Sequence, residues 1–263
     1  MSTYMVFLKK SFQQKFFYRS NSYIYLVSTL IRLLVTMSVW AALFASQEQV
    51  AGIRFEDMVN YIVISMVILS LTRTEMGLRI AHKVADGTIA GDFTRPVNFR
   101  WYNFAEELGQ NLFHTLFNTL PICLLAAWLW DFRLPDDAFY LLLFGLSLTI
   151  GIILIYYINY IFGLISFWTK TPHPTSWFLA AGIELFGGTM VPIWFYPDFL
   201  STLTLLLPFH LIFFEPINIF LGKISYAEAC NVIFFQLIWL AILIAIERWL
   251  WHRAQNTIVV QGG

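Results

Sequence analysis

The sequence predicts an all-α polytopic membrane protein with six transmembrane helices, and three observations carry that prediction. Of its 263 residues, 59% are hydrophobic and only 12% charged, about half the charge of a soluble domain, and the mean hydropathy is +0.68. Several apolar runs reach the ~20 residues that a bilayer core requires. Twelve of the sixteen Lys and Arg fall to one side of these runs, with Arg54, Arg133 and Lys223 on the other and Arg32 inside the first span. By the positive-inside rule that asymmetry puts both termini in the cytoplasm. The formal net charge of zero leaves no electrostatic footprint for nucleic acid. Cys123 and Cys230 sit in apolar runs, where packing residues are expected rather than a disulfide or a metal pair. Lys9, Lys10, Lys15 and Arg19 are followed by a full-length apolar span, not by a short cleavable one. One membrane domain is expected over 1–263.

The chain opens with a basic amphipathic segment, residues 1–20, in which Tyr4, Met5, Leu8, Phe12 and Phe16 form a stripe opposite Lys9, Lys10, Gln13 and Gln14. Such a helix lies in the headgroup region, with Lys15 and Arg19 snorkelling from its apolar side; a basic tail that only sets topology is the alternative. The first span covers 22–45 and carries Arg32 near its middle. Residues 46–57 are acidic and suit the outer side, and a second span runs over 58–72. The third, fourth and sixth spans are expected at 104–130, 138–168 and 227–249, with an inner turn at Lys170 and His173. The fifth starts near Ser176 and is interrupted by Gly187, Gly188, Pro192 and Pro197. Prolines five residues apart forbid a straight helix, so residues 187–220 are expected to form a broken outer re-entrant hairpin covered by protein or lining a cavity. Either a lid on a pathway or an anchor for the last helix would account for it.

The longest polar interruption is 73–97, which carries Arg73, Arg79, Lys83 and Arg95 and is therefore expected to face the cytoplasm. Asp86 is read as the cap of a short helix over 84–96 that stops before Pro96. Ile89 and Phe93, one turn apart, would form an apolar ridge for a soluble partner to grip.

Polar residues inside the spans are the remaining candidates. Arg32 and Glu184 lie near ~15 Å depth, where a charge costs at least ~2.5–3.5 kcal/mol unless paired or hydrated. They are expected to pair, within one subunit or across an interface, either as a gate or as a structural lock. On the third span Glu107, Asn111, His114 and Asn118 make one stripe, readable as interhelical glue or as substrate contact. There is no glycine-rich phosphate loop ending in Gly-Lys-Ser/Thr, no metal-ligand spacing among the five histidines, and no recognisable nucleophile–base pattern. An ion-coupled secondary transporter, a non-transporting assembly subunit and an intramembrane lipid enzyme remain alternatives.

Six spans, the basic amphipathic start, Asp86-Gly87 followed by Arg95-Pro96-Val97, and the proline-broken hairpin together resemble an ABC-2 type permease. They are closest to the six-helix subfamily usually encoded as two unlike permeases beside one ATPase. Residues 80–96 follow that subfamily's order of isoleucine, acidic residue, glycine, apolar pair and arginine-proline, but with Phe93-Thr94 where leucines are usual. The resemblance implies a transmembrane permease in a bacterial plasma (inner) membrane, paired with a second permease, identical or unlike. Two ABC ATPase subunits would bind ATP and Mg and drive export, and the chain itself would be no enzyme and hold no cofactor. Asp86, Gly87, Ile89, Phe93, Arg95 and Pro96 would couple to the ATPases. Arg32, Glu184, Asn111, His114, Asn118, Pro192 and Pro197 would line or gate the pathway. An apolar route favours an amphipathic or lipid-like cargo: a drug, a peptide or a glycolipid.

Overall fold

The computed structural model describes residues 3–17, 19–130, 132–135, 137–169 and 173–255; Lys170 of the expected inner turn lies outside them. Helix α1 (Thr3–Phe17) packs along α6 (Phe99–His114). A Cβ added at Gly109 of α6 would stand 2.2 Å from the Leu8 carbonyl oxygen, so only glycine lets the two backbones meet. Phe12 and Phe16 pack edge-on against Phe113, and Phe7 against Tyr102. Lys9, Lys10, Gln13 and Gln14 are exposed as the pattern requires. Met5, expected in the stripe, is exposed as well, and Phe7 and buried Ser11 take the packing face instead.

Helix α2 (Arg19–Phe44) buries Leu33, Met37 and Trp40 against α3 (Phe55–Thr72). Between them a hairpin of two-residue strands, β1 (Gln49–Val50) and β2 (Ile53–Arg54), turns through Ala51 and Gly52, both with positive φ; the sequence reading had no strand here. Beyond α3, residues 73–75 break the helix before α4 (Met76–Ala85), and the two together make one apolar stretch of 31 residues, Phe55–Ala85. Asp86 ends α4: its N–H bonds the His82 carbonyl, and Gly87 follows at φ 72°. The expected role of Asp86 as an N-cap is therefore corrected. It closes the preceding helix, because the glycine after it supplies the left-handed turn that such endings use. The short helix α5 spans only Ile89–Phe93.

Helix α6 is capped by Asn98, whose side chain accepts from the Trp101 N–H. It continues through a π turn, Thr115–Thr119, into α7 (Leu120–Leu129). Pro121 explains the widening, since its ring would press on the carbonyl one turn earlier and it has no N–H to offer. Helix α8 (Ala138–Thr169) is the central post, burying Leu154, Ile155, Tyr156, Tyr160 and Leu164. It meets α4 at a glycine pair: a Cβ on Gly77 would lie 2.6 Å from the Asn159 carbonyl, and one on Gly163 would lie 3.1 Å from Gly77 Cα.

The expected fifth span is only α9 (His173–Phe186), 14 residues, or about 21 Å at 1.5 Å per residue. It packs against α4 and gives way to irregular backbone at Gly187 and Gly188, where Tyr61 of α3 donates to the Gly188 carbonyl at 2.7 Å. After one 3₁₀ turn (Ile193–Phe195) come α10 (Asp198–Leu205), α11 (Phe209–Ile212) and α12 (Phe214–Phe220). Asp198–Leu205 and Phe209–Phe220 meet at 77°. Helix α13 (Tyr226–Gln255) returns along α8. Buried Gln236 ties these parts together, donating to Ser147 and to the Leu211 carbonyl. Among the described residues five helices are long and apolar enough to cross a membrane, or six if the bent pair counts as one span. Cys123 is buried, but Cys230 is exposed on α13, contrary to expectation.

Candidate functional site

A groove runs between α2, the α3–α4 stretch, α8 and α9. Its three cavities share Arg32 and Leu69. One, of about 400 Å³, lies at the helix break and is floored by Thr72, Arg73, Thr74 and Glu75. A second, of about 290 Å³, is bordered by Tyr25, Ser28, Thr29 and Thr119. The third, of about 550 Å³, extends past Thr36, Tyr61 and Ser65 to Glu184, Thr189 and Pro192. The walls are apolar, with hydroxyls at intervals and one cation that reaches every part.

Arg32 and Glu184 thus face one cavity, yet they are not paired within the chain: both are exposed, and no ion pair joins them among the described residues. Pro192 lines the groove. Pro197 instead precedes α10, outside these cavities.

The stripe on α6 points elsewhere. Glu107, 3% exposed, accepts the Glu75 N–H at 2.7 Å and the Arg79 guanidinium at 2.8 Å. Asn111 donates to the carbonyls of Leu71 and Arg73, and to the Tyr156 hydroxyl at 3.0 Å. Asn118 pairs with His114 at 2.9 Å, and Thr115 and Thr119 both donate to Ser70. Carbonyls freed by the helix break need donors, and Asn111 supplies them. Asn111, His114 and Asn118, expected along the pathway, line none of these cavities; Asn111 bonds across helices, whereas His114 and Asn118 bond each other one turn apart in the same helical run.

The ledge formed by α4 and α5 is built around an acid that the sequence reading missed. Asp92, 7% exposed, pairs with Lys83 at 2.6 Å and Arg95 at 3.4 Å. The expected apolar ridge is turned inward: Ile89 is 5% exposed, and Phe93 packs against Phe99 and Trp251. An isolated five-residue helix has too few backbone bonds to stand alone, so its apolar side faces the core. What the ledge presents outward is Asp86, Thr88, Gly91, Thr94, Arg95 and Pro96, with Arg95 also over the Tyr102 ring. Behind it Arg100 bonds buried Glu247 of α13 at 2.6 Å, a second pair the sequence gave no local sign of. Lys15 of α1 lies within electrostatic reach of Glu75, Arg73 and Glu107 at the helix break, and burial pushes its ammonium below the usual lysine range.

Long apolar helices with a groove between them define a multi-pass membrane protein. Residues 30–262 match the family described as ABC-2 family transporter protein, and the chain belongs to it. It is a permease component of such a transporter, and permeases of this family normally lack the ATPase and work with ATPase partners. No curated protein and no solved structure matches the chain. No group of three or more His, Cys, Asp or Glu among the described residues could hold a metal.

Proposed function

We propose that this chain is one of two permease subunits of an ATP-driven exporter, and that it moves an amphipathic or lipid-like molecule outward along the Arg32 groove. The observation that carries this reading is the groove itself: apolar walls for a chain or ring system, and a charged group at mid-depth that meets a polar end. A sugar or a bare ion would find too few polar partners on such walls. In this reading there are six crossings, with α9 and the irregular residues after it making the fifth and both termini in the cytoplasm. The outward face of the ledge, with Asp86, Gly87, Arg95 and Pro96, meets the ATPase; Ile89 and Phe93 serve by fixing α5 to the bundle. Arg32 and Glu184 pair across the subunit interface when the groove is closed.

The test is reconstitution with a partner ABC ATPase. Outward movement of a fluorescent amphiphile should require ATP and should fall at least about tenfold in Arg32→Ala, which corresponds to about 1.4 kcal/mol. ATP-independent movement driven by an ion gradient would sink the reading.

A further inference from the structure

The 550 Å³ cavity of the groove holds charges and donors that the chain itself does not use. Arg32 and Glu184 are the charged residues that border it, and neither has a partner among the described residues. Five hydroxyls border it as well. Three are spent on backbone carbonyls: Ser28 on Tyr25, Tyr61 on Gly188 and Ser65 on Ile62. The hydroxyls of Thr36 and Thr189 bond nothing among the described residues, although Thr189 is only 8% exposed.

These unspent groups form two unequal sets. Arg32 brings five N–H donors, and Thr36 and Thr189 add two O–H donors, against the single carboxylate of Glu184. Thr36 lies one turn beyond Arg32 on α2, so both face the cavity together. Arg32 is also nine residues into the apolar stretch Tyr23–Phe44, about 14 Å along the helix, where an unpaired charge is costly. A planar guanidinium flanked by hydroxyls suits an oxyanion, which it can hold with two parallel bonds. Glu184 needs the opposite, a cation with N–H to give.

We infer that the cargo of this groove is a zwitterionic amphiphile, its oxyanion held by Arg32, Thr36 and Thr189 and its ammonium by Glu184. The inference rests on the export reading above and narrows its substrate. An anionic headgroup would leave Glu184 unpaired beside a second negative charge, and a cationic one would do the same to Arg32. A zwitterion answers both at once. When it departs, Arg32 and Glu184 recover each other across the subunit interface, so that one neutral arrangement replaces another at every stage.

The experiment uses the full-length chain in a neutral detergent, without ATP. It reads Trp40, which borders the cavity at 7% exposure, as the difference between wild type and Trp40→Phe. Three amphiphiles with the same brominated chain are compared: a lysophosphatidylethanolamine, a lysophosphatidylglycerol and an alkylammonium. The first should quench saturably, and the other two should need at least about tenfold higher concentration. Phosphoethanolamine, the same headgroup without a chain, should not displace it. Arg32→Gln should weaken the zwitterion about tenfold or more and leave the alkylammonium the best ligand, whereas Glu184→Gln should leave the anionic lipid the best. Equal quenching by all three headgroups in wild type, or one headgroup order shared by both variants, would overturn the assignment, and the wild-type comparison holds even if a variant fails to fold. Headgroup-blind binding by a chain that still exports with ATP would remove the zwitterion and leave the export reading standing. Selective binding without ATP-driven export would keep the site and remove that reading.

Discussion

The Glu107 carboxylate on α6 holds both the Glu75 N–H and the Arg79 guanidinium, the latter at 2.8 Å, across the break that separates α3 from α4. One side chain therefore stands in for the helical bonds lost at residues 73–75. Glu107→Gln keeps an acceptor for Glu75 but removes the charge facing Arg79, which retains only Glu106 at 3.8 Å. Glu107→Leu removes both. The thermal midpoint should fall in the order wild type, Gln, Leu, with the Leu variant losing about 3–5 kcal/mol, as when one member of a buried pair is deleted. Equal midpoints for Gln and Leu would show that the charge is irrelevant.

Gly77 and Gly163 set the approach of α4 to α8. Gly77→Ala places a methyl 2.6 Å from a backbone carbonyl, which cannot swing aside. Gly163→Ala meets the Ile80 side chain and Gly77 Cα at 3.1 Å, a gentler conflict. Overpacking of this kind costs about 1–3 kcal/mol, and we expect Gly77→Ala to be the more damaging of the two by midpoint in a fluorescence-detected size-exclusion assay. The reverse order would place the contact elsewhere.

Asp92 draws Lys83 and Arg95 together under the ledge. Asp92→Asn should leave the bundle folded, because Ile89 and Phe93 still anchor α5, but should loosen the face that carries Arg95. Co-purification of the ATPase is predicted to drop several-fold, and Thr94→Trp, which adds bulk to that exposed face, to drop it further. Undiminished co-purification in both variants would place the ATPase on another surface.

Arg32 and Glu184 line one cavity without bonding inside the chain. If they meet across two copies, Arg32→Glu and Glu184→Arg should each weaken assembly and the double reversal should recover it. The dimer fraction by light scattering decides the matter, and recovery no better than the weaker single variant would remove the pair from the account.

Helix positions were readable because a run of ~20 apolar residues has little alternative in lipid: the expected 22–45 and 138–168 lie within three residues of α2 and α8. The ledge was legible as a location but not as a surface. Ile89 and Phe93 have the right spacing, but spacing cannot say which way a stripe faces, and the aromatic rings of Phe99 and Trp251 that receive Phe93 lie 6 and 158 residues away. Asp92 and Glu247 were missed for the same reason: Lys83 and Arg100 become their partners only after the helices assemble. The polar stripe on α6 was visible, whereas its purpose depended on an opposing helix break that composition does not announce. Pro121 was a usable sign of the π turn, being a proline inside an apolar helical run.

The stack of Phe93, Phe99 and Trp251 has a mechanical corollary. Because α5 is wedged against the last turns of α13 while α4 leans backbone-to-backbone on α8, a push on the corner formed by α4 and α5 has no soft joint in which to dissipate. It must travel as a tilt of the whole bundle about α2 and α9, the two helices that border the cavity on its thinly packed side.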